Sequence, residues 1–316
     1  MLIGGHQKMP RELTEQELLK ELEPVVEANL NRHLALAKTW HPHDYVPWGE
    51  GRNFRALGGT DWDPDQSGLD KAAKAAMVTN LLTEDNLPSY HREIAENFSL
   101  DRAWGTWVGR WTAEENRHAI VIRDYLVVTR GVDPVALERA RMENMTTGFV
   151  PATDKGVLHT LAYVTVQELA TRVSHHNTGK VCGEPIADRM LQRVAVDENL
   201  HMVFYRNLTS AAFDLQPDTM MRALVDVLGS FQMPGTGMPD FRRNAVTIAK
   251  AGIYDPRIHV DEVIRPVLQH WRIFERTDFG SEGEHARDDI AALLEDLETK
   301  ADRFEERRER LLDRAV

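Results

Sequence analysis

The sequence predicts an all-α fold, a four-helix core followed by additional helices, on three observations. Helical periodicity runs through almost the whole chain, and no Asn-Gly or Asp-Gly pair joins two alternating apolar segments as a β-hairpin would require. Helix breakers fall between the periodic runs: Pro42 and Pro47, Gly58-Gly59, Gly131 with Pro134, Pro151, Gly183 with Pro185, Pro217, Pro234 through Pro239, and Gly280. Two copies of Glu-x-x-His, Glu115-Asn-Arg-His118 and Glu198-Asn-Leu-His201, lie inside long helical runs.

Taken in order, the helices are expected near 15–38, 68–97, 100–129, 134–145, 154–179, 184–213, 217–231, 240–252, 260–274 and 285–313. Several approach thirty residues, about 45 Å at 1.5 Å per residue, which suits a bundle of long antiparallel rods. The reading takes residues 1–316 as one helical unit, with core helices at about 68–213 and extra helices at 217–313. Pro88 lacks the N–H that would pair with the carbonyl of Glu84, so the second helix either kinks there or ends at Asn86.

The Glu-x-x-His pairs carry the chemistry. Positions i and i+3 share a helix face, so one turn aims a carboxylate and an imidazole at the same point. Each pair also follows another in-helix glutamate: Glu84 precedes Glu115 by 31 residues, and Glu168 precedes Glu198 by 30. Two helical hairpins thus supply four carboxylates and two imidazoles, the set with which ferritin-like bundles hold two irons or manganeses.

Chance must be weighed: 26 Glu and 13 His in 316 residues give about one such match at random, and the chain has three. The third, Glu282-Gly-Glu-His285, follows Phe279-Gly280-Ser281 and lacks apolar flanks, so it reads as a solvated first turn. The other two are embedded among Trp104, Trp107, Val108, Trp111 and Ile122, or among Met190, Leu191, Val194, Val196 and Phe204. A glutamate on a buried face is costly unless it is paired or bound to metal. The alternative is exposure, or pairing with Arg110, Arg117 and Arg193.

Composition narrows the function classes. The formal charge of −12 argues against a nucleic-acid partner. An acidic partner would need a local basic patch, such as Arg242-Arg243 with Lys250, or Arg265, Arg272 and Arg276. The run Arg303, Arg307, Arg308 and Arg310 is laced with Glu305, Glu306 and Glu309 and reads as a self-compensated face. No apolar stretch suffices to cross a bilayer, and the first residues show no signal pattern, so a cytoplasmic location is expected. The single Cys182 excludes an internal disulfide and a thiolate cluster, which leaves oxygen and nitrogen ligands and favours iron or manganese.

The strings Trp111-Thr-Ala-Glu-Glu-Asn-Arg-His118, Thr83-Glu-Asp-Asn-Leu-Pro-Ser-Tyr90, Gln167-Glu168 with Thr171, Ser174-His-His-Asn-Thr178 and Asp197-Glu-Asn-Leu-His201 together resemble the soluble acyl-(acyl-carrier-protein) desaturases, the plant stearoyl type and actinobacterial relatives. The resemblance runs from about Leu22 to Gln232 and more faintly to the end. It implies a homodimeric enzyme with two non-haem iron ions (Fe2+). Such an enzyme uses O2 and two electrons, usually from a ferredoxin, to place a cis double bond in an acyl chain on acyl-carrier protein. It also implies that Glu115 and Glu198 bridge the irons, with Glu84, Glu168, His118 and His201 as terminal ligands.

Thr171 matches a family threonine beside the oxygen pocket. Trp40, Asp197 and His118 resemble the family's hydrogen-bonded chain from surface to iron, with core packing as the other reading of Trp40. Asp197 and a carboxylate near Glu114 are expected to orient the histidines. Met77, Tyr90, Trp107, Leu161, Met202 and Phe231 are candidates to line a dry acyl slot, with ordinary core as the competing reading of each. Leu169 and Arg172 stand where plant enzymes carry Arg and an aromatic residue, the connector from Arg141 to Asp154 differs in character, and Glu93 and Glu96 occupy places near the plant acyl cavity. Two other functions fit the ligand pattern: a different ferritin-like di-iron oxidase, or a desaturase-like binding protein. Iron storage is disfavoured by the helices beyond 217.

Overall fold

The computed structural model describes residues 11–149, 156–233, 238 and 240–313. Pro151, most of the 234–239 stretch and part of the Arg141–Asp154 connector lie outside the described residues.

Twelve α-helices, four 3-10 turns, one π turn and no strand occur among the described residues. Helix α1 (Glu15–Leu36) starts at Thr14, whose hydroxyl accepts from Glu17 N while the Glu17 carboxylate accepts from Thr14 N, a reciprocal cap. Its buried residues Leu18, Leu22, Val26, Leu30 and His33 form one stripe at helical spacing. Four 3-10 turns then carry the chain past Trp40 to α2 (Lys71–Asp85), capped by Asp70. Arg130 holds this non-helical segment in place: its guanidinium donates to the carbonyls of Arg52, Asn53, Thr60 and Asp61 and to the Gln66 side chain.

The expected 68–97 helix is two helices. Asn86 interrupts it, donating its N–H to the Thr83 carbonyl at 3.2 Å, and α3 (Leu87–Asn97) restarts with Pro88 in its first turn. Proline tolerates only that position without losing a helical bond, so the break falls immediately before it. Helix α4 (Arg102–Val128) follows, then α5 (Pro134–Thr147), α6 (Val157–Val181) and α7 (Pro185–Leu215). The hairpin of α6 and α7 is the most extensively packed pair in the molecule. Beyond it come α8 (Pro217–Ser230) and α9 (Phe241–Lys250).

The region expected as one helix at 260–274 starts earlier and is irregular. It comprises α10 (Pro256–Ile258), a π turn (His259–Ile264) and α11 (Arg265–His270). Arg265 N–H reaches back to the Val260 carbonyl, and Pro266 next to it has no N–H to restore the α pattern. Helix α12 (Ser281–Asp313) runs back along α8 and α10.

Two apolar clusters flank the middle of the bundle. The larger joins α1, α3, α4, α6, α7, α8, α11 and α12, with Trp104, Trp107, Phe204 and Phe213 fully buried. The smaller joins α2, α4 and α7 around Trp40, Met77, Tyr125 and Leu191. No helix among the described residues is long and apolar enough to cross a membrane.

Candidate metal centre

The six predicted side chains converge between the two clusters. Glu84 sits one residue from the end of α2, Glu115 and His118 lie mid-way along α4, Glu168 is central on α6, and Glu198 and His201 share one turn of α7. None is more than 6% exposed. His118 Nδ1 lies 3.0 Å from Glu198 Oε1, 3.7 Å from Glu84 Oε2 and 3.8 Å from Glu115 Oε2. His201 Nδ1 lies 2.8 Å from Glu115 Oε1 and 3.5 Å from Glu168 Oε2. Ligand atoms of Glu84, Glu115, His118 and Glu198 all fall within 4.8 Å of one another, and so do those of Glu115, Glu168, Glu198 and His201. Glu115 and Glu198 belong to both groups, so the two groups adjoin through these carboxylates.

The donor set fits metal for a further reason. His118 Nδ1, His201 Nδ1, Glu115 Oε1, Glu168 Oε2 and Glu198 Oε1 are buried and make no hydrogen bond of good geometry among the described residues, their close contacts being with one another. Each such atom costs about 1–3 kcal/mol unless something binds it, and five at one point share one remedy. Arg110, Arg117 and Arg193 do not supply it. Arg110 pairs with Glu114, while Arg117 and Arg193 pair with Asp197.

Behind each imidazole stands a carboxylate. Asp197 Oδ2 lies 3.4 Å from His118 Nε2, and it also accepts from Trp40 Nε1 at 2.7 Å and from Arg117 at 2.9 Å. Glu114 Oε2 lies 2.9 Å from both His201 Nε2 and His33 Nε2. Each carboxylate fixes its imidazole with Nδ1 facing inward. The outer glutamates are held by different donors: His175 Nε2 lies 2.8 Å from Glu84 Oε1, whereas Trp111 Nε1 donates to Glu168 Oε1 at 2.8 Å. Thr171 Oγ1 lies 3.0 Å from Glu198 Oε2.

The electrostatics follow from this crowding. Burial and the neighbouring Glu115 and Glu198 drive the Glu168 carboxyl well above its ordinary range. Burial alone would lower His118 and His201, but the facing carboxylates outweigh it and hold both imidazoles well above their usual value. Burial would raise Glu84, Glu114 and Asp197, yet hydrogen bonds from His118 and His175, from His201 and His33, and from His118, respectively, hold them below the ordinary carboxylate range. Two divalent cations would cancel the four central charges and remove the strain.

The sequence points to Asp197, Glu114, Trp40 and Thr171; it gives His33 no role, and His175 only a place in the Ser174–Thr178 string. Glu168, Thr171 and His175 stand at i, i+3 and i+7 on α6, a spacing that places all three on one face. Trp40 is both core and partner: it packs in the smaller cluster and donates to Asp197. His285 and Glu282 are exposed at the start of α12 and belong to none of the groups of ligand atoms described above.

A cavity enclosing about 110 Å³ opens onto Glu84 and Thr171, and its wall includes Thr79, Thr83, Met233, Phe241, Ile248 and Tyr254. Met77, Tyr90, Trp107, Leu161, Met202 and Phe231 do not line it. Met77 packs among Trp40, Tyr125 and Leu191, and Trp107 stacks on Phe204 with centroids 3.5 Å apart. Glu93 is buried on α3 beside Arg92, away from this wall.

Fold and site together define a ferritin-like helical protein with a buried carboxylate–imidazole centre able to hold metal. The chain belongs to the fatty acid desaturase family, whose model matches residues 14–315. It is 57% identical over 313 residues to a Mycobacterium tuberculosis protein named acyl-(acyl-carrier-protein) desaturase DesA1, covering 97% of this chain and 93% of that one. It is 27% identical to the spinach chloroplast stearoyl-(acyl-carrier-protein) 9-desaturase, covering 95% of this chain and 78% of the relative. The crystal structure of M. tuberculosis DesA2, named as an acyl-carrier-protein desaturase, matches with a TM-score of 0.66 at 35% identity, covering 81% of this chain and 99% of that chain.

Proposed function

We propose that this chain is an acyl-(acyl-carrier-protein) desaturase, with Glu84, Glu115, His118, Glu168, Glu198 and His201 holding two iron ions. The observation that supports this most strongly is the group of five buried, unbonded donor atoms that face one point beside a cavity. Two irons held there supply O2 activation, the oxidising power needed to remove two hydrogens from an unactivated methylene pair, which no side chain provides. The overall reaction consumes the saturated acyl chain, O2, two electrons and two protons, and yields the cis-alkene and two waters.

The protein's part is orientation and exclusion. Asp197 and Glu114 fix the imidazoles, Thr171 holds a Glu198 oxygen, and His175 and Trp111 hold the outer glutamates. Trp40, through Asp197, connects His118 to the outer layer of the bundle and is assigned the path for electrons from a ferredoxin-type donor. The Trp107, Trp111 and Phe204 rings keep water from the α4–α7 side. In this reading residues 1–316 act as one helical unit, supported by an apolar cluster that spans α1 to α12, and the working enzyme is a cytoplasmic homodimer.

The test supplies Fe(II), reduced ferredoxin, O2 and a series of saturated acyl-carrier-protein substrates, followed by mass spectrometry of the released chains. Loss of two hydrogens from at least one chain length is expected. Two irons per chain with no product at any length would overturn the activity and favour a binding role.

A further inference from the structure

We infer that α9 is the docking element for the carrier protein, an inference that rests on the proposed desaturase reading. The helix has two faces with different chemistry. Phe241, Ala245 and Ile248, spaced i, i+4, i+7, form part of the cavity wall opposite Glu84 and Thr171. The other face is solvent-exposed and basic: Arg242, Arg243 and Lys250 surround the exposed Val246.

The charge on this face is not spent internally. Arg243 pairs with Asp240 at 2.9 Å, but Arg242 and Lys250 have no ion pair among the described residues. The other basic groups weighed from the sequence are engaged: Arg265 with Glu298, Arg272 with Glu275, and Arg276 with Asp214 and Asp278. On a chain with a net charge of −12, most of the surface repels an acidic partner, and an uncompensated basic strip offers it a place to dock. An acyl-carrier protein is a small acidic helical protein that presents its chain on a flexible arm. A basic helix forming the outer wall of the reaction cavity matches it in sign and in position.

Isothermal titration of an acyl-carrier protein into the full-length iron-loaded enzyme tests this. Arg242→Glu with Lys250→Glu should weaken binding at least tenfold, raise KM in proportion and leave kcat near that of the parent. Arg303→Glu with Arg307→Glu, an equal charge change on the exposed face of α12, should alter binding less than twofold. Reversing acidic residues of the carrier to lysine should restore its affinity for the α9 variant, which a folding defect could not produce. Equal effects from the two double variants would overturn the inference, as would carrier binding that survives the α9 reversal while electron donation weakens. Failure of the parent enzyme to bind or convert any acyl-carrier substrate would instead overturn the desaturase reading itself.

Discussion

Replacing Glu114 with alanine tests how the centre is held. The carboxylate is buried, lies 2.9 Å from His201 Nε2 and 2.9 Å from His33 Nε2, and pairs with Arg110. Alanine removes the partner that keeps His201 Nδ1 aimed at the centre. A hydrogen bond to a charged group contributes about 1.5–3 kcal/mol, which at one metal position corresponds to roughly a 10–100-fold loss of affinity. Asp197→Ala should cost less at its own position, since its contact with His118 is 3.4 Å and its short bonds go to Trp40 and Arg117. Competition against a chelator of known affinity, monitored by metal content per chain, gives both values. Parent-like affinity for Glu114→Ala, or a larger loss for Asp197→Ala, would refute the argument.

Three further outcomes follow from the geometry. Glu115→Ala and His201→Ala should abolish both metal loading and turnover, whereas His285→Ala should change neither; elemental analysis and product assay decide it. Trp40→Phe keeps the packing but removes the donor to Asp197, so the variant should retain its metal, lose about 1.5–3 kcal/mol of stability and turn over slowly with reduced donor; unchanged turnover would remove Trp40 from the electron path. The metal-free protein should lose stability below about pH 4.5 and again above about pH 6.5, with Glu168 already lowering it between the two. Glu168, His118 and His201 have folded values raised above 4.5 and 6.5, so their contribution is lost as pH rises through the folded values. Glu84, Glu114 and Asp197 are lowered, so theirs is lost as pH falls below their unfolded range. Thermal melts in chelator should fall from pH 6 to pH 8, and loading with metal should abolish that fall.

The convergence of the six side chains was legible because its signal is local: i, i+3 pairs within single turns, repeated in two hairpins. The cavity was not, because its wall depends on where α9 lies, and nothing in α2 or α6 encodes that. The residue types also mislead. Thr83 Oγ1 bonds to the Thr79 carbonyl, and Thr171 Oγ1 to the Glu168 carbonyl and the Glu198 carboxylate, so polar residues whose hydroxyls are engaged elsewhere form part of the wall. A search for Met, Leu and aromatic residues passes over such positions. His33 was hidden differently: its partner Glu114 lies 81 residues away, beyond any periodicity within α1. The irregular winding at His259–Ile264 likewise follows from Pro266, whose effect on the preceding turn is not predictable from apolar spacing.

The two apolar clusters on either side of the centre are each complete without it. Their burial favours assembly of the rods whether or not metal is bound, unlike small domains that collapse only around their ion. On the proposed iron reading, the cavity beside Glu84 would give ions a way into an already folded chain. Iron supply would then set what fraction of molecules is active while leaving the amount of folded protein unchanged.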